Sequence, residues 1–401
     1  MALRPVTGSQ QTIAPSSTSA VSGSGIKEKC RRALAATMHH TGLLGVPRRL
    51  GFRHELQSSS GRLLPKLKRS SGSKFGIVCY HRVGKGGVPL FSQLEPRVFE
   101  SQMRHIKTHY RLVPLGQLCQ ELRESQPVKP TLAVTFDDGY RDLYTHAFPI
   151  LQKYAVPSTV YLIANCMQTG LPPWYDSIFV ALQHAAGTVL ELDLDRPRQF
   201  SLSSPSARFQ AAWEIVCFLR SVPDAERRKW CEAFHCQLPA PSEALENRIL
   251  NWDQVRKMYR GGVSFGCHTS THPAVSRLDP RALEKEICQS KNELEAGLDA
   301  PMVDFAYPFG KPADCGFVAE PFLSAGGYRS AVTTSSGFNP SGTNAFRLRR
   351  MQIGDNPSLS LFAFELARVF LESESTPSCD SPAGGASSFR EVNSVRRGEY
   401  A

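Results

Sequence analysis

Asp137, Asp138, His268 and His272 are the residues of this 401-residue chain whose types and spacing could do chemistry. The two acids sit in Thr135-Phe136-Asp137-Asp138-Gly139, directly after the apolar run Leu132-Ala133-Val134. The two histidines close Cys267-His268-Thr269-Ser270-Thr271-His272, after a second apolar run. One carboxylate and two imidazoles make three protein ligands for a divalent cation and leave positions open for water, which is a catalytic rather than a structural coordination set. The remaining carboxylate is then available as a base, and the group as a whole is a kit for metal-assisted hydrolysis. The donor types suit Zn²⁺ and also admit Fe²⁺, Co²⁺, Ni²⁺ or Mn²⁺.

Neither pair is specific alone. A D-D-G triplet usually marks a solvated turn, and two histidines four residues apart have many innocent uses. Neighbouring residues of an extended segment point in opposite directions. Both acids can therefore enter one site only if a turn begins at Asp138, and Gly139 supplies the freedom for it. The histidine spacing lets both rings face one ion on a helix or on a tight turn after a strand.

The elements that must position these residues are short and regular. Seven apolar runs read as strands, at 75–81, 131–136, 158–163, 263–267, 303–307, 328–333 and 346–353. Between and after them, 96–110, 115–122, 142–154, 253–259, 283–298, 317–325 and 359–371 carry apolar residues at helical spacing. Such alternation predicts parallel β/α units. His81, Asp137, Asp138, His268 and His272 all fall just past strand C-termini, where α/β barrels place their chemistry. The expected fold is therefore an α/β distorted seven-unit barrel rather than an open sheet. The span 174–250 breaks the alternation, with a β-like stretch at 189–202 and helices at 207–219 and 224–234, and reads as an inserted cap. The expected organisation is a basic, mostly disordered extension over 1–73, one catalytic domain over 74–371 with the insertion, and a Ser/Pro/Gly tail over 372–401.

The formal net charge of +11 belongs almost wholly to the extension. Residues 1–69 hold twelve Lys and Arg against Glu28 and Glu55, a net +10, so the rest is close to neutral. No aromatic-interleaved basic surface accompanies this charge, which argues against nucleic acid as partner. The segment 26–50 fits an amphipathic helix, and 26–69 an association with an anionic membrane surface or an acidic partner. Eleven cysteines without C-x-x-C pairs or regular spacing fit buried thiols rather than a disulfide framework. With no signal peptide and no run near the ~20 apolar residues of a membrane span, the expectation is a cytoplasmic protein, peripheral at the membrane at most.

The motifs carry a family resemblance. Thr135–Gly139 and His268–His272 resemble the first two motifs of the polysaccharide deacetylase family (NodB-homology domain, carbohydrate esterase family 4), and Phe305-Ala306-Tyr307-Pro308-Phe309-Gly310 resembles its third. Cys79-Tyr80-His81-Arg82-Val83 is similar to the start of many such domains, and Trp174-Tyr175-Asp176 to an aromatic-acid motif of one branch. The resemblance spans about 75–371 and implies a distorted (β/α)7-like barrel. It implies Asp138, His268 and His272 as metal ligands and Asp137 as catalytic base. The implied reaction removes acetyl groups from N-acetylated sugars of a polysaccharide, oligosaccharide or glycolipid precursor. The metal acidifies a water and polarises the acetamide carbonyl, Asp137 takes the proton, and the backbone N–H at Tyr307, its direction set by Pro308, helps hold the oxyanion. Trp174 and Asp176 are expected at the substrate.

One element of the family pattern is missing. Many members protonate the leaving amine with a histidine in a late Leu-x-His motif, but no histidine follows His272 here and the last strand reads Phe346-Arg347-Leu348-Arg349-Arg350. His81 becomes the candidate acid. Arg349 or Arg350 could orient a carboxylate or bind an anionic substrate, but a guanidinium does not release a proton at neutral pH. Two other readings share these residues: hydrolysis of another non-peptide C–N bond (a cyclic imide, ureide or N-acyl compound), and a non-catalytic glycan-binding protein on the same fold. A small closed pocket under 174–250 would favour the first of these; an open groove lined by Trp174 and Tyr175 would favour sugar.

Overall fold

The structure, a computed structural model, describes residues 75–84, 93–124, 130–246, 248–354 and 358–371. The expected extension at 1–73, its amphipathic helix at 26–50 and the tail at 372–401 lie outside the described residues. Among the described residues no helix is long and apolar enough to cross a membrane.

Seven strands of an eight-stranded parallel sheet build the frame, the eighth being the short Arg111–Leu112 beside Thr131–Leu132: β1 (Phe75–Tyr80), β2 (Thr131–Phe136), β3 (Ser158–Leu162), β4 (Val263–Cys267), β5 (Asp304–Ala306), β6 (Ser330–Val332) and β7 (Met351–Gln352). Their order in the sheet is β6-β5-β4-β3-β2-β1-β7. β1 and β2 pair over their whole length, from Phe75 opposite Thr131 to Tyr80 opposite Phe136. The sheet curls until its ends meet: Val332 and Leu348 form a parallel bridge, and Thr333 donates to the Leu348 carbonyl at 2.8 Å. The result is the distorted β/α barrel expected from the alternation of runs. The run 346–353 is not one strand, because Leu348 bonds to β6 whereas Met351 pairs with Val78 of β1. It crosses from one end of the curled sheet to the other, so no single ladder holds it.

Side chains on a strand alternate between faces, and here one face fills the barrel. Ile77, Ala133, Tyr161, Ala306, Val332 and Leu348 are buried together, plugged below by Leu115, Leu118 and Leu122 of helix α1 (Leu115–Glu124). Two residues further along the same faces come Cys79, Thr135 and Arg350, and then Asp137, at the C-terminal mouth. The opposite face packs on the outer helices through a larger apolar cluster that includes Val78, Val134, Phe136, Leu162 and Phe265. Close packing has a visible signature at Gly266, where an added Cβ would lie 2.5 Å from the Asp304 carbonyl oxygen and 2.7 Å from the Tyr161 ring.

Residues 174–250 carry an apolar cluster of their own. Helix α2 (Trp174–His184) packs against α3 (Pro205–Ser221) and α4 (Asp224–Gln237), burying Tyr175, Ile178, Phe179, Ala212, Ile215 and Phe234. The β-like stretch is an antiparallel hairpin, Val189–Asp193 with Pro197–Ser201. The chain then returns through the helix Trp252–Arg260, whose start is closed by a capping box between Asn251 and Gln254, and enters β4.

Candidate functional site

The ends of β2 and β4 bring the sequence-singled acids and histidines into one buried cluster. The main chain leaves β2 with the Asp137 N–H bonded to the Tyr80 carbonyl, then turns with both Asp138 and Gly139 at φ 70°. A left-handed aspartate is uncommon; here it aims the Asp138 carboxylate into the same cavity as Asp137. His268 leaves β4 with its N–H on the Leu162 carbonyl. The histidines lie on a tight turn and not on a helix, with Thr269 at φ 66° and His272 at φ 57°. The Thr269 hydroxyl accepts the His272 N–H at 2.9 Å, and the Thr269 and Ser270 carbonyls accept the Ala164 and Asn165 N–H groups. Glu286, fully buried, accepts the Ser270 and Thr271 N–H groups, each at 2.8 Å.

Asp138 Oδ1 lies 3.5 Å from His268 Nε2 and 3.5 Å from His272 Nε2. Two ligand atoms held tetrahedrally at zinc distances stand about 3.4 Å apart, so these three side chains are spaced to share an ion. Their electrostatics fit a cation as well. Burial pushes the Asp138 carboxyl well up, with Asp137 and Asp176 adding to it, while the Tyr175 hydroxyl pulls the other way. Burial lowers His268 to about 4 against the opposing pull of Asp137, and lowers His272 well below its ordinary value with His268 adding to the effect. Both imidazoles are thus neutral donors at neutral pH. The His268 Nδ1 is engaged with the Ala306 carbonyl at 2.6 Å, which leaves Nε2 for an ion.

Asp137 stands in a different environment. Arg350, entirely buried, donates to both of its oxygens at 2.7 Å and is itself fixed on the Thr333 carbonyl and the Thr135 hydroxyl. Burial pushes the Asp137 carboxyl up, but the bidentate guanidinium outweighs it and holds the group well below the usual carboxylate range. The Cys79 thiol, kept neutral by burial, stands 3.5 Å from Asp137 Oδ2. His81 Nε2 lies 3.9 Å from the same oxygen, and burial lowers its pKa although Asp137 opposes this. Cys79, His81 and Asp137 also lie within metal-ligand reach of one another, but Arg350 already takes both carboxylate oxygens. That arrangement suits a base better than a ligand.

Other expectations meet a different geometry. The Tyr307 N–H donates to the Val332 carbonyl at 3.1 Å, so the β5–β6 ladder uses it and it is not open to an oxyanion. Pro308, buried in the turn, has no N–H, and Gly310 donates to the Pro308 carbonyl at 2.6 Å. This leaves the Phe309 N–H, on a residue at φ 59° whose ring packs 4.8 Å from His272. Of the two arginines, Arg350 and not Arg349 enters the barrel: the Arg349 N–H bonds to the Asn339 side chain, and alternation turns its side chain to the other face, beside Gly337. Asp176 is 3% exposed and accepts the Tyr140 hydroxyl, so it faces protein rather than substrate. Burial raises it to about 6 against Arg82 and Arg248. Trp174 is half-buried, its indole N–H donating to the His272 carbonyl at 3.2 Å, and Tyr175 is buried with its ring 4.9 Å from His272. The pair walls the histidine and is not an open platform. Arg350 meets the expectation that one of the two arginines orients a carboxylate, whereas Cys79, Glu286 and Phe309 were not singled out as site residues by sequence reasoning. The period-two faces Phe75-Ile77-Cys79 and Leu348-Arg350 carry the signal for Cys79 and Arg350.

Comparison with known proteins comes to the same place. Residues 124–315 match the family model described as polysaccharide deacetylase. The chain is 28% identical over 101 residues to YxkH of Bacillus subtilis, covering 25% of this chain and 35% of that protein. It is 32% identical over 114 residues to the poly-beta-1,6-N-acetyl-D-glucosamine N-deacetylase of Staphylococcus epidermidis, covering 25% of this chain and 39% of that protein. The chain therefore spans well under half the length of these curated relatives. Among solved structures, the Streptococcus pyogenes deacetylase PplD in complex with acetate superposes with a TM-score of 0.51 at 19% identity, over 76% of this chain and all of that one, a likeness of fold.

Proposed function

We propose, since residues 124–315 match the polysaccharide deacetylase family model, that the chain is a metal-dependent hydrolase removing acetyl groups from N-acetylated sugars of a polysaccharide, oligosaccharide or glycolipid precursor. The observation that carries this is the division of labour between two adjacent aspartates: Asp138 spaced at 3.5 Å from two neutral imidazoles, and Asp137 pinned by Arg350 beside them. Asp138, His268 and His272 would hold the metal, with zinc the first choice for this donor set. When bound, it would acidify a water and polarise the acetamide carbonyl.

The protein's own groups supply the rest. Asp137 takes a proton from the attacking water. Its low proton affinity suits only a water already acidified, and keeps the group ionised throughout the neutral range. Arg350 fixes both carboxylate oxygens, so the base cannot rotate away. We read His81, 3.9 Å from Asp137, as the acid for the leaving nitrogen. Burial lowers the proton affinity of its resting imidazole, so the proton it gives is the one Asp137 takes from the water. The Phe309 N–H is the donor in the Tyr307–Gly310 turn that remains for the developing oxyanion.

The test is acetate release by zinc-loaded protein from N-acetylglucosamine oligomers, with N-acyl compounds and cyclic imides on the same panel. Release from the oligomers should stop on chelation and fall at least about 100-fold in Asp137→Asn, the scale of a lost general base. Turnover of the imides alone would move the assignment to another C–N bond, and zinc-loaded protein inert on the whole panel would remove it.

A further inference from the structure

A metal-binding histidine is ordinarily oriented through its second ring nitrogen. His268 follows this, with Nδ1 on the Ala306 carbonyl. His272 does not: its Nδ1 has no hydrogen-bond partner although the residue is 3% exposed. The ring is held instead by aromatic neighbours, Tyr175 at 4.9 Å and Phe309 at 4.8 Å, and by its main chain, bonded to Thr269 and Trp174. Packing does not close the site from outside, since a cavity of about 300 Å³ lined by Trp174, Arg227, Arg228 and Thr271 adjoins the loop.

The supports converge on the insertion. Arg228 of α4 donates to Glu286 at 2.9 Å, the buried carboxylate that takes the Ser270 and Thr271 N–H groups and the Thr271 hydroxyl. Arg227, beside it, lies 5.0 Å from the Trp174 ring, and Asp224 ties both arginines to the start of α4. Arg220 of α3, paired with Asp314, lies 4.6 Å from the Phe309 ring.

We propose that Arg228, acting through Glu286, is a positioning residue for His272, so that the insertion sets the metal affinity of the barrel. The proposal rests on the metal reading above. Without Arg228, Glu286 is a buried carboxylate stripped of its cation, and the two backbone N–H groups it holds are the ones that carry the chain into His272. The full chain is compared with Arg228→Met, Arg228→Lys and Glu286→Gln by competition for zinc against a chromophoric chelator, alongside melting of the metal-free proteins. Arg228 is half-exposed and Gln keeps an acceptor at 286, so these variants are chosen to fold.

Loss of zinc affinity by about tenfold or more in Arg228→Met and Glu286→Gln is expected, with partial recovery in Arg228→Lys and metal-free melting close to wild type. Zinc affinity within twofold of wild type in both variants would overturn the positioning role while leaving the metal site standing. Lowered metal-free melting with unchanged affinity would do the same and assign the pair to stability. Wild-type protein that binds no zinc, or whose binding survives His272→Ala, would overturn both readings.

Discussion

At the scale of single residues, the decisive contrast is between Asp137 and Asp138, neighbours in sequence with opposite titration. Asp137 is held ionised by Arg350, whereas Asp138 has no such partner and is pushed up. Arg350→Met tests the first half. A carboxylate whose folded pKa is depressed adds stability above its unfolded value near 4, and this is lost as pH falls through the folded value. Removing the guanidinium should cost on the order of 3–5 kcal/mol at neutral pH, and the cost should shrink toward acid as Asp137 takes up a proton. The acid limb of the activity profile should move toward neutral, because burial then dominates Asp137. Urea unfolding and kcat/KM across pH 4–8 measure both. An unmoved acid limb would show that Arg350 does not set the charge of the base. The same contrast explains what was legible: a D-D-G triplet shows two acids, but not which one meets an arginine 213 residues away.

At the scale of elements, the strands act as rulers. Period-two alternation places Ala133, Thr135 and Asp137 on one face, and the parallel register from Phe75–Thr131 to Tyr80–Phe136 sets the strand ends together at the mouth. The apolar runs and their turn residues made these strands readable, because a strand buried on both faces needs an unbroken apolar sequence. The crossing of 346–353 from β6 to β1 was not readable, since nothing local marks where a segment changes partner. Gly266→Ala probes the ruler itself. Its Cβ would press on the Asp304 carbonyl and the Tyr161 ring, both without room to yield. A loss of about 1–3 kcal/mol or more is expected, visible as a lowered urea midpoint, and zinc affinity should fall with it because His268 follows two residues later. A variant as stable as wild type would mean that β4 and β5 separate more easily than their packing implies.

For the whole molecule, the curled sheet gathers at one mouth the proposed base from β2, the proposed ligands from the ends of β2 and β4, Phe309 from the turn after β5, and Arg350 from the run into β7. An ion shared there would bind the folded chain and not the unfolded one, and would therefore stabilise the fold. At a free zinc level of 1,000 times the dissociation constant the gain is about 4 kcal/mol. Chelation should therefore lower the melting temperature of wild type and leave Asp138→Asn nearly unmoved. The metal-free variant should also melt above metal-free wild type, since it no longer buries an uncompensated carboxylate. Equal chelator shifts in the two proteins would place the metal elsewhere.

What the sequence determined by itself was chemical type and local geometry. It carried the ligand-capable acids and histidines, the alternating runs that make a β/α barrel, and the family motifs, because each of these is written in neighbouring residues. Tertiary structure alone decided how the roles are divided. It gave Asp137 its arginine, spent the Tyr307 N–H on β6, turned Asp176 inward onto Tyr140, and joined the insertion to the His268–His272 loop through Arg228 and Glu286. The physical reason is the same in each case. A side chain's charge, orientation and free hydrogen-bonding capacity depend on partners brought to it by closure of the sheet, and those partners lie 15 to more than 200 residues away.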